Sequence, residues 1–269
     1  TLAGAAGVPV DFPVHEPARL AGPRLQNLED FINLAKVNIE NYKYINVWLE
    51  GIRKLKEYFG DEVFIRENCD QVPFSLATMV RGLNNFFLDF YSSEENLVFE
   101  LLDYCEDITQ FINLMSQTGA DMVSNGDSFA DPELISPEMY EKFTLPYERK
   151  VIEEVHKNAM PYGLHICGDT SLILDSMLKT GSEAIELDYK TDIRLAYEKF
   201  KERITFMGNV DPSRVLALFT PDRVRSKTLE LLNLYGHENR FILNAGCALP
   251  SSTPPENISE FIRVAREFR

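Results

Sequence analysis

A histidine and a cysteine lie two positions apart in the stretch YGLHICGDTS, residues 162–171. If this stretch is a β-strand, His165 and Cys167 project from the same face, because side chains alternate along a strand. Cys247 follows a separate apolar run, directly after a glycine. One nitrogen and two sulfur ligands with an open fourth position are typical of catalytic zinc. These residues alone leave a second interpretation open, in which the histidine is a hydrogen-bonded core residue and the cysteines are small hydrophobic residues.

The elements that would position these residues are short apolar runs that alternate with helical patterns. A long helix is predicted for residues 27–60, and strands are predicted for residues 62–66, 120–126, 162–167, 183–188, 204–209 and 241–246. Alternating strands and helices are typical of a parallel sheet with crossover helices. The sequence therefore predicts an α/β fold, with a closed (β/α)8 barrel of the TIM type as the first choice.

An open, doubly wound sheet is the alternative fold. Against it, no glycine-rich dinucleotide fingerprint follows the first predicted strand. We expect residues 1–269 to form a single barrel domain. The predicted strands are fewer than a full barrel needs, so we expect the others in the irregular first 30 residues or before residue 1, with the N-terminal part truncated.

The composition of the chain excludes several kinds of partner. The 269 residues carry a formal net charge of −15, whereas a nucleic-acid surface needs clustered Lys and Arg. The longest apolar runs fall short of the roughly 18 residues that a membrane helix needs. Four scattered cysteines are too few for a disulfide scaffold in a chain of this size. We therefore expect a reduced, cytoplasmic protein with no nucleic-acid or membrane partner.

Four stretches of the chain resemble the uroporphyrinogen decarboxylase superfamily: DSFADPELISPEMYEKFTLPYERKVIEEV, HICGDT, GNVDPS and NAGCALPSSTPPENISEFIRVAR. Within that superfamily, the His-x-Cys-Gly motif with a later Gly-Cys resembles the cobamide-dependent methyltransferase branch, which includes the methylcobamide:coenzyme M methyltransferases. The decarboxylases proper lack this pattern. The resemblance implies a (β/α)8 barrel in which His165, Cys167 and Cys247 hold zinc.

The resemblance also implies a reaction, which is methyl transfer between a methylcobamide on a separate corrinoid protein and a thiol such as coenzyme M. A free thiol has a pKa near 8.5, and coordination to zinc ionises it while leaving it nucleophilic. The alternatives are a decarboxylase of the porphyrinogen type and a corrinoid:tetrahydrofolate methyltransferase, neither of which needs these three metal ligands together.

Other polar residues at the predicted strand ends are candidates for supporting roles in catalysis. Asp127 and Glu186 are expected either to orient His165 or to receive the proton released when a thiol binds. Asn209 is expected to hydrogen-bond the substrate or to brace a loop. The competing interpretation of all three is helix capping and solvation at the end of the sheet.

Overall fold

The computed structural model describes residues 1–13, 18–34, 36–92 and 95–268. These residues form two compact units. The first unit comprises Thr1–Ala130 and Glu138–Tyr162, and the second comprises Asp131–Pro137 and Gly163–Arg269. The expectation of a single barrel domain stays a prediction, and residue 35 of the predicted long helix lies outside the described residues.

The first unit contains a short antiparallel pair, β1 (Val10–Asp11) and β2 (Arg19–Leu20), and a parallel pair, β3 (Arg66–Gln71) and β4 (Met122–Gly126). The helices between residues 1 and 160 are α1 (Leu2–Ala5), α2 (Lys43–Phe59), α3 (Pro73–Arg81), α4 (Leu83–Asp89), α5 (Glu95–Thr109), α6 (Ile112–Met115), α7 (Pro137–Met139) and α8 (Leu145–Lys157). A π-helical turn, Tyr140–Thr144, leads into α8.

The helix predicted for residues 27–60 is confirmed only from Lys43 onward. Before it, the chain forms two short 3-10 helices, Leu28–Asn33 and Ile39–Asn41. Four asparagines lie in or beside these turns, and their side chains compete with the helical backbone for hydrogen bonds. Helix α2 ends at Gly60, as predicted, where the backbone turns to a φ of +54°.

The first parallel strand was predicted wrongly at residues 62–66. The structure has it at Arg66–Gln71, a segment of almost entirely polar residues in which Glu67 and Cys69 are buried while Arg66 and Asn68 are exposed. A strand with a charged residue on its buried face does not give the apolar alternation by which strands are recognised. The other five predicted strands are confirmed within two residues at each end.

Four parallel strands pair in chain order, and all of their residues except Tyr162 belong to the second unit: β5 (Tyr162–Ile166), β6 (Ala184–Leu187), β7 (Thr205–Val210) and β8 (Phe241–Ala245). The connecting and closing helices are α9 (Leu174–Met177), α10 (Ile193–Phe200), α11 (Pro221–Tyr235) and α12 (Pro255–Glu267), with short turns at Thr170–Leu172 and Pro212–Leu216. Parallel strands joined by helices confirm the predicted α/β class.

None of the helices within the described ranges is both long and apolar enough to cross a membrane. The cytoplasmic location and the absence of a nucleic-acid partner remain predictions from composition.

Candidate metal centre

Strands β5 and β8 position the three candidate metal ligands. His165 lies in β5, where it pairs in register with Glu186 of β6, and Cys167 follows directly after the strand. Cys247 comes two residues after the end of β8. The carboxyl ends of parallel strands lie at the same edge of a sheet, so ligands that are far apart in sequence meet there.

A glycine lies beside each cysteine because no larger residue fits. A Cβ at Gly168 would lie 2.0 Å from a carboxylate oxygen of Asp131, and the residue has a φ of +81°. A Cβ at Gly246 would lie 2.4 Å from the backbone nitrogen of Tyr189. Both glycines therefore allow a close approach, of the Asp131 carboxylate at Gly168 and of the Tyr189 backbone at Gly246, beside a cysteine of the group.

Among the described residues, His165, Cys167 and Cys247 are the only group of three or more His, Cys, Asp or Glu that could hold a metal ion. One ligand atom from each residue lies within 4.8 Å of the other two, and all three residues are partly exposed. The Nε2 of His165 lies 3.3 Å from the Sγ of Cys167. The predicted ligands therefore meet at one point of the second unit.

The orientation of the His165 ring is set by the strand beside it. Its Nδ1 lies 3.1 Å from the backbone carbonyl oxygen of Glu186. A carbonyl only accepts hydrogen bonds, so Nδ1 carries a proton, and Nε2 faces the sulfur atoms. In proteins a metal-binding histidine commonly donates its second ring N–H in this way.

The electrostatics of the group favour a thiolate. Hydrogen bonds from Cys167 and then from His165 lower the pKa of Cys247 to about 4. Burial by itself lowers the pKa of His165, but the hydrogen bond to Cys247 and the charge of Glu186 outweigh it and raise that pKa. By contrast, burial raises the pKa of Cys69 and of Cys105, so these two cysteines stay protonated.

This donor set fits zinc. One imidazole nitrogen and two sulfurs are ligands that zinc binds in tetrahedral geometry, at about 2.0–2.1 Å for nitrogen and 2.3 Å for sulfur. Ligand atoms at such distances from one ion lie about 4 Å or less from each other. The 3.3 Å between the Nε2 of His165 and the Sγ of Cys167 lies in this range, and all three ligand atoms lie within 4.8 Å of one another. Three protein ligands would leave a fourth position of such an ion open.

Glu186 and Asn209 both lie in the second unit and are buried. The Oε1 of Glu186 lies 3.8 Å from the Nδ1 of His165, so its carboxylate adjoins one of the three candidate metal ligands. The Nδ2 of Asn209 donates to two backbone carbonyls, of Asp188 at 3.1 Å and of Thr191 at 3.4 Å. Of the two roles expected for Asn209, these hydrogen bonds are those of a residue that braces a loop.

Asp127 lies in the first unit, directly after β4, and has no solvent exposure. Its Oδ1 accepts hydrogen bonds from the backbone nitrogen of Ser75 at 3.0 Å and from the Ser75 hydroxyl at 2.5 Å. A hydrogen bond between the carboxyl groups of Glu148 and Asp127 lowers the pKa of Asp127 and raises that of Glu148, and Tyr140 donates to Glu148 at 2.6 Å. A catalytic role for Asp127 stays a prediction.

Burial raises the pKa of Asp127 to about 7, and it raises the pKa of Glu148 well above its usual value, with the charge of Asp127 as the second cause. The two carboxyl groups therefore hold a proton near neutral pH, as close buried carboxylates generally do.

Sequence reasoning missed Glu148. A signal was present, because Glu148, Val151, Ile152 and Val155 follow the three-and-four spacing of the buried face of α8.

The uroporphyrinogen decarboxylase (URO-D) family matches residues 1–268 of the chain. A protein named methylcobamide:CoM methyltransferase MtbA, from Methanosarcina acetivorans, is 32% identical over 246 residues, which cover 91% of this chain and 70% of that protein. The protein of the same name from Methanosarcina mazei has the same identity and coverage. A uroporphyrinogen decarboxylase from Parasynechococcus marenigrum is 32% identical over 97% of this chain and 74% of its own length.

A solved structure described as a methyltransferase from Methanosarcina mazei matches 99% of this chain and 77% of that chain, with a TM-score of 0.83 at 24% sequence identity. At that identity the likeness shows the fold alone. Since the family match spans nearly the whole sequence, this α/β chain belongs to the uroporphyrinogen decarboxylase family, whose fold is the TIM-type barrel that the sequence predicts.

Proposed function

We propose that this chain is a zinc-dependent methyltransferase that moves a methyl group between a methylcobamide, carried by a corrinoid protein, and a small thiol such as coenzyme M. The observation that carries the proposal is the meeting of His165, Cys167 and Cys247, with their ligand atoms within 4.8 Å of one another. The two relatives named methylcobamide:CoM methyltransferase support this class of reaction.

The chain's own residues prepare the centre for this chemistry. The backbone carbonyl of Glu186 holds the His165 ring so that Nε2 faces the two sulfurs. Thiolate character at Cys247 precedes metal binding, so less free energy is needed to remove the proton when the ion arrives. A zinc ion bound here would lower the pKa of a thiol that occupies its open position.

The transfer itself exchanges one bond for another. The substrate sulfur forms a bond to the methyl carbon while the carbon–cobalt bond breaks, and both electrons of that bond stay on cobalt, which passes from cobalt(III) to cobalt(I). The thiol proton leaves when the thiol binds. The carboxylate of Glu186, next to His165, is the group that we propose receives it. The protein then contributes mainly the relative position of sulfur and methyl, which is worth several kcal/mol in reactions of this kind.

Asp127 has a more distant role in this proposal. Because it is fully buried and bonded to Ser75, we propose that it supports turnover by holding the end of β4 to the start of α3. Direct contact with the substrate is not part of that role.

A second candidate function is decarboxylation of a porphyrinogen, which is favoured by the 32% identity to a uroporphyrinogen decarboxylase over 97% of the chain. That reaction gives no reason for a histidine and two cysteines to meet. Metal content separates the two functions, because only the methyltransferase needs zinc.

The test uses purified protein with its natural metal, methylcobalamin as the methyl donor, and 2-mercaptoethanesulfonate or homocysteine as acceptor, without oxygen. We expect the spectrum of cobalt(I) to appear and about one proton to be released per site when the thiol binds. His165→Ala is expected to abolish both signals, because one metal underlies them. His156→Ala, which changes an exposed histidine on α8, is the matched control and is expected to keep both.

Demethylation by tetrahydrofolate that persists after zinc removal would contradict the proposal in favour of a zinc-free methyltransferase. Protein that holds no zinc and decarboxylates a porphyrinogen would favour the second candidate.

A further inference from the structure

The loop that carries Cys167 is tied to the loop after β6 through a single buried hydroxyl group. The Oγ1 of Thr191 donates to the carbonyl oxygen of Gly168 at 3.2 Å, and it accepts from the backbone nitrogen of Thr170 at 3.0 Å. The hydroxyl of Thr170 lies 2.9 Å away from the same atom. Thr191 is 2% exposed, so water does not compete for these bonds.

The direction of the third bond follows from the inventory of a hydroxyl group. Thr191 has one proton and two lone pairs, and the Gly168 carbonyl takes the proton because a carbonyl cannot donate. The Thr170 hydroxyl must therefore donate to Thr191. The three hydrogen bonds of the Thr191 hydroxyl therefore all go to residues 168–170, which follow Cys167 directly.

Thr191 is itself held from the next strand. Its backbone nitrogen donates to the carbonyl of Asp188 at 3.1 Å, which closes a tight turn after β6. The side-chain amide of Asn209, on β7, donates to both carbonyls of that turn, those of Asp188 and Thr191. The connection thus runs from Asn209 to the turn at 188–191, then through the Thr191 hydroxyl to the backbone beside Cys167.

We propose that Thr191 is a positioning residue for the metal centre, which it serves by fixing the backbone of residues 168–170 beside Cys167, and that Asn209 acts through it. This inference rests on the proposed function, because it takes the three-ligand group to be a metal site. Groups that orient metal ligands from behind typically change metal affinity 10- to 100-fold when they are removed.

The test compares Thr191→Val, which keeps the shape but removes the hydroxyl, with Thr191→Ser, which restores the hydroxyl. The matched control is Thr228→Val. Thr228 is also fully buried in the second unit, but its hydroxyl bonds to Val224 within α11, outside this connection. Zinc affinity is measured by competition with a chelator. The absorption of bound cobalt(II) reports the ligand geometry directly, including the bands that arise from thiolate ligands.

We expect Thr191→Val to bind zinc roughly 10- to 100-fold more weakly and to change the cobalt(II) bands. Thr191→Ser is expected to restore the zinc affinity and the cobalt(II) bands. Thr228→Val is expected to keep the wild-type zinc affinity and cobalt(II) bands, even if its melting temperature changes. Asn209→Ala is expected to weaken zinc binding as well. When it is combined with Thr191→Val, the loss should be smaller than the product of the two single effects, because both act along one connection.

If Thr191→Val binds zinc and cobalt(II) like the wild type, with only a lower melting temperature, the inference is wrong and the bonds serve folding alone. If that variant does not fold, wild-type affinity and spectra in Asn209→Ala would overturn the inference instead. A wild-type protein that binds no metal would overturn the proposed function, whereas metal binding that is indifferent to Thr191 and Asn209 would overturn this inference alone.

Discussion

The Nδ1 of His165 donates to the backbone carbonyl of Glu186, 3.1 Å away, across the register pair that these residues form between β5 and β6. The acceptor is a main-chain atom, so the orientation of the imidazole depends on the sheet itself rather than on a side chain. The carboxylate of Glu186 adds a charge 3.8 Å from the same nitrogen. Backbone and side chain of one residue therefore have separable effects on His165.

Glu186→Gln is the change that separates them. It keeps the carbonyl and removes the charge, so we expect the variant to retain its zinc while turnover with methylcobalamin and a thiol falls about 10-fold, because the group proposed to receive the thiol proton is then neutral. Metal analysis measures the zinc content, and steady-state kinetics on the same preparation measure the turnover. Loss of zinc would mean that the carboxylate, and not the backbone, holds His165 in place.

Cys247→Ser tests the metal assignment itself. A serine hydroxyl is a poor ligand for zinc beside a thiolate and an imidazole, so we expect the variant to lose most of its metal. Cys105→Ala is the control, because Cys105 is fully buried on α5 and is not part of the three-residue group. Zinc is measured in both proteins after dialysis against a chelator. Full retention of zinc by Cys247→Ser would exclude the proposed site.

Because Asp127 and Glu148 form a buried carboxyl pair, we expect the stability of the protein to depend on pH. Burial raises the pKa of Asp127 to about 7, against roughly 4 in an unfolded chain, so between these values the folded protein binds more protons than the unfolded protein. The free energy of unfolding should therefore fall as the pH rises from 5 to 7. Glu148→Gln keeps a neutral hydrogen-bond donor to Asp127 and removes one titrating group.

We expect the stability of Glu148→Gln to depend less steeply on pH than that of the wild type, by up to about 1.4 kcal/mol per pH unit for one proton. Urea unfolding at pH 5, 6 and 7 measures the slope. Glu153→Gln, on the exposed face of the same helix, is the control and should follow the wild type. Parallel curves for wild type and Glu148→Gln would show that the pair does not share a proton.

Asp127→Ala addresses the role of this residue in turnover. The change removes two of the hydrogen bonds between the end of β4 and the start of α3, and a misplacement of about 1 Å in an active site can cost roughly 100-fold in rate. We expect kcat/KM to fall by about 10- to 100-fold, beyond any loss explained by unfolded protein. Ser75→Ala removes the hydroxyl bond to Asp127 and the bond that this hydroxyl accepts from the Phe129 backbone nitrogen, but it keeps the backbone bond from Ser75 to Asp127, so its kcat/KM should fall less. An unchanged kcat/KM in Asp127→Ala would leave the residue a purely structural one.

The sequence by itself determined which residues are candidate metal ligands and where most of the parallel strands lie. His165 and Cys167 share a strand face because of their spacing alone, and the runs that became β5 to β8 carry enough apolar residues to be recognised locally. It did not locate the first parallel strand, because β3 buries Glu67 beside Cys69 and so lacks an apolar alternation.

The tertiary structure decided which polar residues work together. Thr191 contacts residues 168–170, and Glu148 meets Asp127, across separations of about twenty residues along the chain. No local sequence pattern predicts such pairs, because a threonine in a turn and a glutamate in a helix have the same structural propensities whether or not their side chains are hydrogen-bonded. Only the pairing of β5 with β6 and the packing of α8 bring their partners within hydrogen-bonding distance, and burial then removes the water that would otherwise take the partners' place.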